Sequence, residues 1–227
     1  MSELWDSLGP QIWPAFWLTI QLTFWSAIGS VLWGVLLAGM KVSPVPVMRW
    51  FATVYVNVVR NTPLTLIILL CSIGLYQNLG LTLAADDGNF IANNNFRLAV
   101  LGFILYTSTF VCETLRSGFN TVPLGQAEAA RSVGLNFPQV FGLIVLPQAL
   151  RAVIAPMGSV LIALTKNTTI ASIIGVGEAA LLMKEELENH SSQILLIFAI
   201  FAAGFMVITL LEGAAFGWAA KRWAVQR

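Results

Sequence analysis

The chain has 227 residues, of which 57% are hydrophobic and only 10% are charged, and its mean hydropathy is +0.79. A soluble domain carries about 25% charged residues, so the composition excludes a water-soluble globular protein and indicates an integral membrane protein. Because the formal net charge is only +1 and the sequence has no basic stripe, we expect no nucleic-acid partner.

The predicted elements are membrane-spanning helices. About 20 apolar residues cross a hydrocarbon core about 30 Å thick, and we predict an all-α, polytopic protein whose residues 1–227 form one transmembrane domain. The five predicted spans are 14–40, 50–76, 96–115, 147–168 and 193–219. Because the N-terminus carries Glu3 and Asp6 but no Lys or Arg, we expect the first span to remain as an anchor rather than to be cleaved.

Two further stretches are apolar but short. Residues 169–183 are interrupted by glycine, which favours a re-entrant or half-buried segment, and the role of 169–190 is left undecided. Residues 137–146 either begin the fourth span or lie on the membrane surface.

The Lys and Arg residues of short loops predict orientation, because they concentrate on the cytoplasmic side. With the N-terminus outside and the C-terminus inside, the outer segments hold only Arg97 and Lys184. The inner segments then hold Lys41, Arg49, Arg116, Arg131, Lys221, Arg222 and Arg227. We therefore predict a multi-pass protein of the cell membrane with a cytoplasmic loop at 117–146.

That loop contains a short helix. Thr121 is a candidate N-cap for a helix over 123–133, and Gly134 is a candidate left-handed terminator. Asn136 is expected to cap a second helix with Pro138 near its start, where the missing N–H does no harm.

Glu128 and Arg131 lie three residues apart on one face of this helix, and three alanines keep it slim. Two interpretations stay open from the residues alone. The helix is either an amphipathic connector on the inner surface or a docking knob for a soluble partner.

The spacing of this stretch is specific. Glu128, Ala129 and Ala130 are followed by Gly134, then Ile144, then Leu146-Pro147, and this spacing resembles the EAA loop of permeases of ATP-binding cassette (ABC) importers. The resemblance implies a coupling helix that seats in a groove of a cytoplasmic ATPase. The ATPase-coupling residues it implies are Gly125, Gln126, Glu128, Ala129, Ala130, Gly134 and Pro147.

Other segments resemble permeases for polar amino acids. "RNTPL" at 60–64 is similar to an R-G-T-P-L motif with Asn61 in place of Gly, and "KNTTI" at 166–170 is similar to K-D-T-S-L with Asn167 in place of Asp. Residues 111–130 match the family pattern that leads into the EAA loop. Together the motifs look most similar to actinobacterial glutamate-uptake permeases.

The resemblance implies a MetI-like type I ABC importer fold and translocation of a polar amino acid, with L-glutamate favoured over glutamine or aspartate. It also implies four kinds of partner besides membrane lipid: a cytoplasmic ATPase dimer, a second homologous permease, an extracellular substrate-binding protein and the amino acid itself. The chain contains no G-x-x-x-x-G-K-[ST] loop, so we expect a transporter subunit that is not an enzyme and has no cofactor of its own, with ATP bound by the partner.

Charged residues inside apolar spans are candidates for the substrate pathway, because each costs about 2.5–3.5 kcal/mol at a helix centre. Glu113 and Arg116 either pair structurally or belong to a gate. Arg60 and Lys166 lie beside polar, proline- or threonine-containing breaks and suit an anionic substrate, although Arg60 could instead satisfy helix-end carbonyls and Lys166 could snorkel outward. The candidate pathway residues are Arg60, Asn61, Thr62, Pro63, Glu113, Arg116, Lys166, Asn167 and Thr168.

Several residues receive a structural interpretation. Arg151 and Glu212 are expected to snorkel to the inner interface, and His190 is expected to be solvated. Cys71 and Cys112 lie in apolar segments, so we interpret them as buried residues rather than metal ligands or a disulfide.

Two other function classes remain open. An ion-coupled secondary transporter would need its own coupling-ion site, for which Glu113 is a candidate, but the odd number of spans and the lack of an internal repeat disfavour it. A non-transporting scaffold would not need Arg60 and Lys166 in apolar surroundings.

Overall fold

A computed structural model describes residues 2–86 and 88–223, and Arg227, used above to predict orientation, lies outside them. Every regular element within the described ranges is helical. The α-helices are α1 (Ser2–Val42), α2 (Pro46–Asn61), α3 (Leu64–Leu69), α4 (Phe90–Asn120), α5 (Leu124–Ser132), α6 (Phe137–Val140), α7 (Leu146–Asn167), α8 (Ala179–Asn189) and α9 (Ile194–Trp223). π-Helical turns at Leu70–Asn78 and Phe141–Val145 extend α3 and join α6 to α7, and 3₁₀ turns lie at Thr168–Ile174 and Ser191–Gln193.

The spans agree with the predicted architecture. Four described helices are long and apolar enough to cross a membrane, or five if the bent pair α2–α3 is one span. Residues 137–146 are helical and run without interruption into α7, so they begin the fourth long helix. The prediction of an all-α polytopic protein is confirmed.

The second predicted span, 50–76, is bent sharply at Pro63, the break that the sequence predicts. α2 and α3 meet at an angle of 106°. Pro63 accounts for the break, because proline cannot donate a backbone hydrogen bond and its ring blocks the preceding turn. Its carbonyl then accepts from the N–H groups of Leu66 and Ile67 at 3.0 and 3.3 Å, which starts α3.

α1 packs against α4, and small residues allow the close approach of the two helices. A Cβ atom added at Gly34 would lie 2.5 Å from Cγ1 of Val111 and 2.9 Å from the backbone oxygen of Ser108. A backbone oxygen cannot rotate away, so the two helices would have to separate. Gly39, five residues further along α1, has open space around it.

We therefore expect Gly34→Ala to destabilise the protein by about 1–3 kcal/mol through overpacking. Gly39→Ala is the matched control, and we expect it to be neutral or slightly stabilising because alanine favours a helix over glycine. Thermal unfolding of the purified variants in detergent measures both effects. Equal midpoints for the two variants would contradict the close approach.

α8 is attached to α1 by two buried carboxylates. Glu178 precedes α8 and accepts hydrogen bonds from the N–H groups of Ala180 and Leu181 at 2.9 and 3.1 Å, and from the Thr19 hydroxyl at 3.4 Å. Glu186 accepts from the Ser7 hydroxyl at 3.1 Å, and its carboxylate lies 3.0 Å from Nδ1 of His190. The expectation that His190 is a solvated residue is thus wrong, because α8 brings it against a buried carboxylate.

The Glu178 carboxyl is fully buried, and burial raises its pKa from 4.5 to about 7, although its three donors act to lower it. Because the pKa is higher in the folded state, the neutral form is the stabilised one, and stability decreases as the pH rises from about 4.5 to about 7. The contribution is at most about 3 kcal/mol.

We expect the melting temperature in detergent to fall between pH 5 and pH 8, and Glu178→Gln to reduce that fall. Glu188→Gln, which changes an exposed carboxylate on the same helix, is the control and should leave it unchanged. A Glu178→Gln variant with the full wild-type pH dependence would contradict the assignment.

Candidate functional site: the α5 loop and a basic cleft

The loop after α4 forms the short helix that its sequence predicts, with one difference at its start. Pro123 occupies the N-cap position of α5 and makes no side-chain cap. The predicted N-cap at Thr121 is wrong, because Thr121 instead ends α4 and its hydroxyl donates to the Gly118 carbonyl at 2.7 Å.

The end of α5 is formed as predicted. Gly134 has a φ of +91°, and its N–H donates to the Arg131 carbonyl at 3.0 Å while that of Leu135 donates to the Ala130 carbonyl at 3.2 Å. Asn136 and Gln139 then cap α6 reciprocally, each side chain accepting from the other's backbone N–H at 3.1 and 2.9 Å. These local bonds set the direction in which the chain leaves α5.

α5 protrudes from the spans. Glu128, Ala129 and Arg131 are exposed, whereas Ala130 is buried. Apolar side chains at the two ends of the helix are also exposed, Leu124 by 81% and Val133 by 77%. The surface of α5 therefore combines charged and apolar side chains.

α5 is tied to the start of α7 by a side-chain hydrogen bond, which Nε2 of Gln148 donates to Oε1 of Gln126 at 2.7 Å. Gln148 directly follows Pro147, so this hydrogen bond joins α5 to the first turn of the fourth long helix. Within the described ranges Glu128 and Arg131 form no ion pair, although both lie on α5. Their charges are therefore available to a partner.

A second feature is a basic cleft between α1, α2 and α4, with a volume of about 380 Å³. It is lined by Lys41, Arg49, Thr53, Asn57, Arg60, Glu113 and Arg116. The Lys41 ammonium forms an ion pair with one oxygen of Glu113, and Arg116 lies 3.3 Å from the other. The predicted pairing of Glu113 with Arg116 is present, and Lys41 adds a second cation.

The break between α2 and α3 lies at one end of this cleft. Asn61 donates to the Asn57 carbonyl at 2.7 Å, and Thr62 donates to the Val58 carbonyl at 2.8 Å. Both side chains bond carbonyls of the last turns of α2, and the Val58 carbonyl is free for Thr62 because the Thr62 N–H donates to Val59 instead. The Arg60 guanidinium is thus left facing the cleft.

The remaining candidate pathway residues lie elsewhere. Lys166 is exposed at the end of α7 and does not line the basic cleft. Asn167 lines a different cavity, of about 320 Å³, together with Thr107 and Ser159. Thr168 is buried, and its hydroxyl donates to the Thr165 carbonyl at 2.7 Å.

Glu212 does not snorkel, contrary to expectation. It is turned inward, and Thr165 donates a hydrogen bond to Oε1 at 2.7 Å. The choice between turning outward and turning inward depends on whether a hydroxyl on a neighbouring helix lies within reach, which α7 provides.

The sequence does not identify Lys41 and Arg49 as site residues, because its charge pattern indicates only that they are cations of an inner loop. One signal could have found Arg49: residues 49, 53, 57 and 60 lie on one face of a helix at 100° per residue. They form a polar stripe on an otherwise apolar segment.

The helical fold, the exposed α5 loop and the polar cleft together define a transport component of the membrane. Residues 30–225 match the family described as binding-protein-dependent transport system inner membrane component, and the chain belongs to this family. It is a multi-pass permease of the ABC importer class and not an enzyme.

Particular relatives cover the whole chain. It is 63% identical, over the full length of both proteins, to the glutamate transport system permease protein GluC of Corynebacterium efficiens. It is 61% identical over the same extent to the protein of that name from Corynebacterium glutamicum. A crystal structure of an amino acid ABC transporter with histidines is similar with a TM-score of 0.84 and 27% identity, covering 96% of each chain. The predicted resemblance to polar amino-acid permeases is confirmed.

Proposed function

We propose that this chain is the membrane-spanning permease subunit of an ATP-driven importer that carries L-glutamate into the cell. The observation that supports glutamate most directly is full-length identity of 61% and 63% to two glutamate transport permeases. The cationic lining of the cleft agrees with an acidic substrate.

The proposed assembly contains a cytoplasmic ATPase dimer, a second homologous permease and an extracellular substrate-binding protein. The N-terminus lies outside and the C-terminus inside, which puts α5 on the cytoplasmic face. ATP is bound by the ATPase, whose closure moves α5. The Gln126–Gln148 hydrogen bond and the continuous helix from Phe137 to Asn167 pass this movement to the spans.

The proposed substrate pathway includes Arg60, Glu113 and Arg116 in the basic cleft. The segment Asn61-Thr62-Pro63 ends α2 beside the cleft. Lys166 and Asn167 are proposed to lie on a separate part of the pathway at the end of α7, with the buried Thr168 supporting that end. A carboxylate of the substrate would be attracted to the guanidinium groups, because charge-assisted hydrogen bonds are about twice as strong as neutral ones.

Uptake of labelled glutamate by the complete complex in proteoliposomes tests this function. We expect uptake to require ATP on the ATPase side and the binding protein on the other, and to be blocked by vanadate. Uptake driven by an ion gradient in the absence of ATP would instead identify a secondary transporter.

A further inference from the structure

The basic cleft carries more positive charge than its own ion pairs use. Lys41 and Arg116 both contact Glu113, which satisfies this carboxylate from two sides. Arg49 and Arg60 form no ion pair within the described ranges. Four cations thus face one carboxylate, and three positive charges are left without a counter-charge.

The charge is arranged along one face of α2. Arg49, Thr53, Asn57 and Arg60 fall within a narrow arc at 100° per residue. The other faces expose apolar side chains, with Trp50 at 67%, Val54 at 40% and Val58 at 60%. A helix of this kind places its apolar faces toward lipid or another apolar surface and its polar face toward water.

The cleft also extends along most of α2. Arg60 follows Arg49 by eleven positions, which is about 16 Å along a helix. The Tyr55 hydroxyl donates to the Leu105 carbonyl at 2.9 Å and holds the middle of α2 against α4. Cations that only snorkel to lipid headgroups would not need a polar stripe of this length.

We infer that this cleft is an anion-attracting vestibule toward the cytoplasmic end of the pathway, in which Arg49 and Arg60 receive the carboxylates of an acidic amino acid, so that the permease itself contributes to selection against neutral and cationic amino acids. The inference rests on the proposed function for the identity of the substrate. It assigns Arg49, with Thr53 and Asn57 beside it, as specificity-determining residues. The Lys41–Glu113–Arg116 group is the frame that holds α1 against α4 beside them.

The sign of the potential can be measured without transport. Thr53→Cys places a thiol in the cleft, while the native Cys71 and Cys112 are buried, at 1% and 0% exposure, and serve as the unlabelled background. The purified complex is treated with a negatively charged and a positively charged methanethiosulfonate reagent of similar size. The quantity measured is the ratio of the anionic to the cationic labelling rate. We expect this ratio to be about tenfold higher at Thr53→Cys than at Gln77→Cys, an exposed position outside the cleft, because a charged cleft concentrates counter-ions.

Removal of the uncompensated charges should abolish this preference. In the Thr53→Cys background we expect Arg49→Gln and Arg60→Gln each to reduce the ratio of the two rates about twofold, and the double variant to reduce it about fivefold. Lys184→Gln, which removes an exposed cation on α8, should leave the ratio unchanged. A ratio that is the same with and without Arg49 and Arg60 would overturn the inference.

The ligand is tested by protection and by transport. We expect glutamate to slow labelling of Thr53→Cys more than glutamine does, and Arg49→Gln to raise the KM for glutamate about tenfold while Arg49→Lys restores most of the affinity. If vesicles of an anionic phospholipid slow the labelling of Thr53→Cys and glutamate does not, the cleft is a lipid-headgroup site and the substrate assignment is overturned. If the wild-type complex does not transport glutamate yet the rate ratio depends on Arg49 and Arg60, the proposed function fails while the anion-attracting cleft remains.

Discussion

Gly134→Asp and Glu128→Lys should abolish ATP-dependent uptake while the protein remains folded in the membrane. Gly134 has a φ of +91°, where a residue with a Cβ atom is strained by about 1–2 kcal/mol. Relief of that strain breaks the hydrogen bonds that Gly134 and Leu135 donate to the end of α5. The helix then changes direction relative to α7, although no atom within 4 Å of the added Cβ prevents folding.

Glu128→Lys acts through charge alone. The side chain is exposed and has no ion pair within the described ranges, so its reversal leaves the packing of α5 intact. We expect both variants to reduce uptake to less than about one-tenth, a loss that corresponds to at least about 1.4 kcal/mol of coupling.

The measurement is glutamate uptake together with ATPase stimulation by the binding protein in the reconstituted complex. Gly80→Asp and Glu188→Lys are matched controls, because both positions are exposed and lie outside the loop, and Gly80 also has a positive φ, +67°, with no atom within 4 Å of an added Cβ. Wild-type uptake by the Gly134 and Glu128 variants would disprove the role of α5 in coupling.

Arg60→Gln should reduce glutamate uptake about tenfold or more. The guanidinium lines the cleft, and the side chains of Asn61 and Thr62, not Arg60, bond carbonyls in the last turns of α2. Loss of the charge therefore removes an interaction with the substrate rather than a cap of α2. A charged hydrogen bond lost from such a site costs about 2 kcal/mol or more.

Lys166→Gln is the variant to compare with Arg60→Gln. Lys166 lies at the end of α7 and not in the cleft, so we expect its replacement to have a smaller effect. A loss equal to that of Arg60→Gln would place both residues on one continuous path. Undiminished uptake by both variants, with normal assembly of the complex, would exclude the pathway role.

Much of this molecule is determined by short-range sequence pattern. The long apolar helices follow from composition, and the break at Pro63 follows from the missing N–H. The left-handed Gly134 and the cap at Asn136 depend on hydrogen bonds between residues at most five positions apart. Such features were predictable because the partners are separated by a fixed, short length of chain.

The contacts between helices were decided by the tertiary structure. Lys41 meets Glu113 across 72 positions, and Thr165 meets Glu212 across 47. Apolar composition determines that a helix spans the membrane, but its rotation and depth against a neighbour depend on side-chain packing such as that at Gly34. For that reason the sequence alone identified Arg60 and Lys166 as equivalent cations, whereas the folded chain joins Arg60 with Lys41 and Arg49 and leaves Lys166 apart.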